Sequence, residues 1–310
     1  MQIPTPVMDP ARSHLLGSQD ADGGWGANSS GGPSATEPTS LAVMALRGAD
    51  DPEASRAADR GLVWLRERQR SDGSWPVSDQ VPMGSWMTSL AALALAGSPI
   101  DRSRAGAGAR WLLEQEGRPV PWMSRLFFFL FPRYDVIDLD LELKGWSWFE
   151  NTFGWVEPTA YALIALKTLR ADLPQSQTRS RIEEGERMLV DRVCEGGGWN
   201  YGNSRVYDEE LWPYPDTTAL ALLALQDRPG LPEVQSSLDA LDRMVARNES
   251  LLATSLALLC GRVYGRPVEA LSRRIGEHLE ADSRWIDVRA VALASLALRE
   301  GSVPLSFRHA

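Results

Sequence analysis

The sequence predicts an all-α chain: a single (α/α)6 toroid of six helix hairpins spanning residues 1–310, with a long insertion at about 117–154. Three observations carry this expectation. One apolar phrase rich in alanine and leucine recurs along the chain. A more polar, amphipathic segment precedes most of its copies. No segment sustains the period-two alternation of a half-buried strand.

The phrase reads Thr-Ser-Leu-Ala-x-x-Ala-Leu. Copies start at Thr39, Thr88, Thr159, Thr218 and Thr254, and a degenerate sixth starts at Arg289. The last two intervals are 36 and 35 residues, the length of one helix pair, so the longer ones contain insertions. A segment apolar on nearly all sides must be shielded from water all round, so these copies read as inner helices. The first outer helix is short, residues 11–17. The others are expected at residues 57–68, 102–116, 181–193, 234–247 and 268–279, each with apolar residues at helical spacing and charges elsewhere. Inner-to-outer links are short and turn-like, as at Ala96-Gly97-Ser98-Pro99. Outer-to-inner links are long in the first four repeats. Long loops gathered at one end mark the functional end, where the inner-helix N-termini converge on an expected apolar central cavity.

Composition narrows the function. The 310 residues are 44% hydrophobic, enough for a sizeable core. The net charge of −9, from 32 Lys+Arg against 41 Asp+Glu, excludes general affinity for nucleic-acid phosphates. Cys194 and Cys260 are too few for a disulfide framework or a cysteine-rich zinc site, which fits a cytoplasmic setting. His14, His278 and His309 lie on outer helices or at the C-terminus, so a histidine-based metal or triad site is not expected. The N-terminus shows neither the basic nor the apolar part of a secretory signal.

The run Arg60-Gly61-Leu62-Val63-Trp64-Leu65, followed by Gln69, Gly73 and Trp75, resembles the QW repeat of squalene-hopene and oxidosqualene cyclases. Partial copies are Gln19 with Gly23 and Trp25, Trp111 with Gln115, and Glu195 with Gly198 and Trp199. With the inner-helix phrase, the resemblance covers nearly the whole chain and extends to class II terpene cyclases and protein prenyltransferase β subunits. Such cyclases usually hold two toroids, and this chain has room for one. The resemblance implies an isoprenoid-handling enzyme that protonates an alkene in an aromatic-lined cavity. Its acid would be the middle aspartate of an Asp-x-Asp-Asp-Thr-Ala motif. Tyr214-Pro215-Asp216-Thr217-Thr218-Ala219 places Asp216 there, with Tyr214 and Thr217 where the family has aspartates. An alkene is a very poor base, so the acid must be a neutral carboxyl in dry surroundings. Gln69 and Trp75 are expected to serve the scaffold, the amide capping a neighbouring helix and the indole packing on it.

Acids recur two residues before the phrase: Glu37, Glu157, Asp216 and Asp287. They read either as helix-dipole partners and caps or as a ring of carboxylates at the mouth, with Glu37 and Glu157 as partners of Asp216. In the insertion, Asp138, Asp140 and Glu142 alternate with Ile and Leu. They read as a solvated edge, an acid pair or, only if the ligand carries a diphosphate, a Mg²⁺ site; no other cofactor is expected. Trp86, Trp146, Trp148, Trp155, Tyr161, Trp212 and Tyr214 are the aromatic candidates for the ligand wall, against ordinary core packing. The stretch Trp122–Phe131 is a candidate for peripheral membrane contact or for a plug over the toroid. Two further readings stand: a non-catalytic lipid- or partner-binding toroid, and a carbohydrate-active (α/α)6 enzyme with paired carboxylates and Trp platforms.

Overall fold

The computed structural model describes residues 8–29, 31–47, 50–117, 140, 142–149, 152–207, 209–281, 287–299 and 305–307. Outer helices are α1 (Met8–Gly17), α3 (Pro52–Arg68), α5 (Arg102–Glu114), α7 (Gln175–Asp191), α9 (Pro232–Val245) and α11 (Glu269–Ala281). Inner helices are α2 (Thr36–Leu46), α4 (Thr88–Ala96), α6 (Val156–Thr168), α8 (Pro215–Ala224), α10 (Leu251–Tyr264) and α12 (Val288–Leu298). Each inner helix packs on the next, and α12 packs on α2, so the ring closes. Two short antiparallel hairpins, Pro76–Ser78 with Val81–Gly84 and Arg205–Val206 with Glu209–Glu210, decorate the second and fourth outer-to-inner links. Neither was expected, because strands of two to four residues are too short to show a period.

One device pins four of the repeats. The backbone N–H groups of Trp25, Trp75, Trp146 and Trp199 donate to the hydroxyls of Thr39, Thr88, Thr159 and Thr218, each at 2.9 Å. The four indole Nε1 atoms donate to the carbonyls of Leu15, Leu65, Leu112 and Leu189 in the last turns of the preceding outer helices. The phrase-initial threonine is therefore a buried acceptor, and the QW tryptophan a rivet between an outer helix and the following inner one. Gln69 Nε2 donates to Gly73 O and to Arg104 O on α5, and Gln19 repeats this with Gly23 O and Ala57 O on α3. Gly73 turns the chain at φ +91°, where an added Cβ would lie 2.7 Å from Ala107 O.

The base of the ring, at the C-terminal ends of the inner helices, is tied together by side chains. At the C-terminal ends of inner helices, side chains reach sideways to neighbouring carbonyls. Arg47 Nη1 meets Ala94 O, Lys167 Nζ meets Ala224 O, Tyr264 OH meets Leu222 O, Arg262 meets Arg299 O, and Arg299 Nη1 meets Met44 O. These donors satisfy unpaired carbonyls, and the cations among them complement the negative helix ends.

The axis is packed, not hollow. From the third position of each inner helix up to the start of its last turn, Ala290, at 8%, is the most exposed apolar side chain, and most are fully buried. A hollow wide enough for an isoprenoid would expose its walls, so the expected apolar cavity is filled by the helices' own Leu, Val, Ile and Ala. Among the described residues, the partly exposed side chains of the inner-helix starts mark the N-terminal mouth.

Candidate functional site

The mouth is built from the second residue of five of the six inner helices. Glu37, Glu157, Asp216, Leu252 and Arg289 occupy that position in α2, α6, α8, α10 and α12, and all stand partly exposed between buried neighbours. Trp86, two residues before Thr88, is their counterpart ahead of α4. Alignment by phrase puts Asp287 in this ring, but the helix corrects it. Asp287 is the N-cap of α12, its Oδ1 accepting from the backbone N–H of Arg289 and Ala290. A cation, Arg289, takes the place expected for the fourth acid.

Arg289 organises the site. Its Nη1 lies 3.5 Å from Glu37 Oε1 and 3.8 Å from Glu157 Oε1, bringing two carboxyls onto one guanidinium. Trp148 Nε1 donates to Glu157 Oε2 at 3.2 Å. Burial pushes the Glu157 carboxyl up to about 7, with the Glu37 charge adding and Arg289 opposing. Burial also raises Glu37, with Arg289 opposing. Burial alone would lower Arg289, but Glu37, Tyr161, Asp287 and Glu157 outweigh it and hold the guanidinium firmly charged.

Aromatic rings frame the carboxyls. Tyr161 is buried beneath them and stacks on Trp86, with centroids 5.9 Å apart. Trp148 stacks on Trp155 at 4.9 Å and meets Tyr201 at 5.9 Å, and Tyr201 meets Tyr214 at 5.3 Å. Trp155 lies against the backbone of Gly202, where a Cβ would come within 2.8 Å of the ring. A cleft of about 300 Å³ opens beside this wall, between Trp86, Trp111, Trp148 and the edge of Trp146.

The Squalene-hopene cyclase C-terminal domain family matches residues 2–85. No curated protein matches the chain. Among solved structures, a protein from Actinoplanes is 18% identical at TM-score 0.59, covering 94% of this chain and 98% of its own. The type II terpene cyclase MstE from Scytonema is 16% identical at TM-score 0.52, covering 89% and 78%. The GH76A alpha-1,6-mannanase from Salegentibacter is 9% identical at TM-score 0.59, covering 94% and 97%. The fold that these structures share with the chain is the (α/α)6 toroid. At these identities the likeness is one of fold, and it spans cyclase and glycosidase alike.

Within this toroid the expected residues divide. Glu37, Glu157, Trp86, Trp148, Trp155, Tyr161 and Tyr214 gather at the mouth. Asp216 stands at the same rim, half-buried, with its charge bearing on Glu157, Tyr161 and Tyr201. Trp146 is a rivet, 2% exposed, bonded to Leu112 O with the Arg181 guanidinium 3.6 Å over its ring. Trp212 is 84% exposed and turns away from the wall. Asp140 is exposed, its Oδ1 accepting from Glu142 N and its own N–H donating to Asp191 beside the end of α7, apart from the carboxyl pair. Asp138 and Trp122–Phe131 lie outside the described residues. Among the described residues no group of His, Cys, Asp and Glu is placed to hold a metal, and no helix is long and apolar enough to cross a membrane. Arg289 and Tyr201 were missed. The signal for Arg289 was present: counting from the Asp287 cap rather than from the phrase puts it in the ring.

Proposed function

We propose that the mouth of the toroid is a general-acid site of the class II terpene cyclase kind, in which Glu157 protonates an alkene of an isoprenoid chain lying against the aromatic wall. The observation that carries this reading is the pair of buried carboxyls on one arginine with an indole N–H on the acid. Arg289 can balance one carboxylate, and Glu157, raised to about 7, stays partly protonated at neutral pH. That proton passes from Glu157 Oε to an alkene carbon. The rings of Trp148 and Trp155 beside the acid supply the faces that stabilise the resulting cation. Glu157 fits the acid's requirements better than Asp216, which stands at the outer rim. The packed axis means that only the reacting end of a chain enters the mouth.

The test is incubation with farnesyl diphosphate, geranylgeranyl diphosphate and squalene, with products read by gas chromatography and mass spectrometry. Glu157→Gln is expected to lower turnover at least about 100-fold, the scale of one general acid. Asp216→Asn is expected to keep most of it. Equal turnover by Glu157→Gln and wild type would remove the assignment. A second reading, acid–base cleavage of a carbohydrate, is favoured by one observation: the wall is open, with Tyr201 41% and Tyr214 47% exposed. Release of reducing sugar from alpha-1,6-mannan that depends on both Glu37 and Glu157 would select it.

A further inference from the structure

The acid of the mouth is held at both of its oxygens. Glu157 Oε1 lies 3.8 Å from Arg289 Nη1, and Glu157 Oε2 accepts from Trp148 Nε1 at 3.2 Å. The arginine belongs to α12 and the indole to the link that precedes α6. Other charged or titratable groups face the carboxyl from every side: Glu37 on α2, Tyr161 on α6, Asp216 on α8, Asp287 at the cap of α12 and Tyr201 in the fourth link. The indole differs from the arginine in being neutral. It fixes the direction of the carboxyl without adding charge, and it favours the ionised form.

The link is built to deliver that indole. Trp146 is sealed in the scaffold, and Trp155 N donates to Trp146 O at 2.8 Å, so the chain leaves the scaffold at one and rejoins it at the other. Between them, Ser147 Oγ, Thr152 N and Thr152 Oγ all donate to Phe149 O, which folds the loop back on itself. The loop lays Trp148 on Trp155, with centroids 4.9 Å and planes 17° apart. Glu157 follows Trp155 by two residues and meets the N–H of the stacked ring.

Trp155 is fixed in turn from the next repeat. It is the N-cap of α6, and the following N–H, of Val156, donates to Tyr201 O at 2.9 Å. The backbone of Gly202 lies against its ring, where a Cβ would come 2.8 Å from Cε3. Gly202 is not in the left-handed region, so the ring, not the backbone conformation, excludes a side chain there.

We infer that Trp148 is a positioning residue for Glu157, and that its own place is set from the fourth repeat through Trp155 and Gly202. The inference deepens the acid-site reading and rests on it for the reaction alone; the hold on the carboxyl is read without turnover.

Trp148→Phe keeps a ring to stack on Trp155 and removes the N–H. With whichever of farnesyl diphosphate, geranylgeranyl diphosphate and squalene is turned over, kcat is expected to fall about tenfold with KM within about twofold. The alkaline limb of the pH–rate profile should move up by about half a unit to one unit, because the carboxylate has lost a donor. The readout without turnover is the difference between melts at pH 5 and pH 8. Trp148→Phe should enlarge it, and the enlargement should vanish when Glu157→Gln is added. Gly202→Ala should move kcat and the limb the same way by less, and add little to Trp148→Phe. A limb and a melting difference equal to wild type in Trp148→Phe would overturn the inference, as would an equal loss of stability at both pH values. Additive effects of the two variants would remove the route through Gly202. The two readings fail separately. Full turnover in Glu157→Gln with an enlarged melting difference in Trp148→Phe removes the acid and spares its positioning. Lost turnover in Glu157→Gln with an unmoved limb in Trp148→Phe does the reverse.

Discussion

Glu157 concentrates the chemistry, and its titration makes two predictions. As an acid it must be protonated, so turnover limited by proton delivery should fall as pH rises through about 7, and the pH–rate profile checks this. Its carboxyl is raised by folding, so the folded state holds a proton that the unfolded chain gives up. Below the unfolded value of 4.5 both states are protonated and nothing is lost. Between 4.5 and about 7 stability falls as pH rises, by an amount on the order of 3 kcal/mol, and above that the loss is complete. Glu157→Gln should remove this slope. Melts at pH 5 and pH 8 should therefore differ less in the variant than in wild type, and an unchanged difference would show that Glu157 titrates normally. Arg289 sets the sign of the whole trio. Arg289→Met leaves two buried carboxyls without their cation, so both should be driven further towards neutrality and the pH-dependent loss of stability should extend to higher pH.

Each hairpin is held by its rivet, and the rivet separates scaffold from site. Thr218→Val keeps the shape of the side chain but leaves Trp199 N–H buried without an acceptor, since Thr218 Oγ1 takes that proton at 2.9 Å. The expected cost is about 1–3 kcal/mol, read as a lowered denaturation midpoint with an unchanged m-value. The same rule explains which tryptophans belong to the scaffold. Trp25, Trp75, Trp146 and Trp199 each precede a phrase-initial threonine in the same bonding pattern. Trp146 lacked the full Gln-x-x-x-Gly spacing because the insertion falls inside its repeat, so it resembled Trp148, two residues on. In the structure one indole is sealed against Leu112 O and the other faces Glu157. Alternation of direction along an extended segment should place neighbours two apart on the same side, and the irregular backbone after Trp146 breaks that rule.

At the scale of the whole molecule, closure of the ring is the cooperative event. The last inner helix is tied to the first repeat at both ends. Val288 N donates to Ala27 O at the mouth, and Arg299 Nη1 reaches Met44 O and Arg47 O at the base. Arg299→Met strands these carbonyls among buried helices. It should lower the unfolding midpoint by an amount corresponding to about 2–4 kcal/mol, and hydrogen exchange should rise first in α2 and α12. Loss of stability with protection unchanged in those two helices would deny the closure role.

The sequence by itself determined the number of hairpins, the inner or outer place of each and the end that carries the long loops. These follow from local quantities: whether a helix is apolar all round or on one face, and how many residues separate it from the next. Only the tertiary structure decided that the axis is filled, that Arg289 joins Glu37 to Glu157, and that Trp148 bonds the acid while Trp146 is sealed in the scaffold. Those properties depend on distances between side chains from helices far apart in the chain. A periodic pattern fixes the direction in which a residue points, but not the space left between six helices once all have turned the same way.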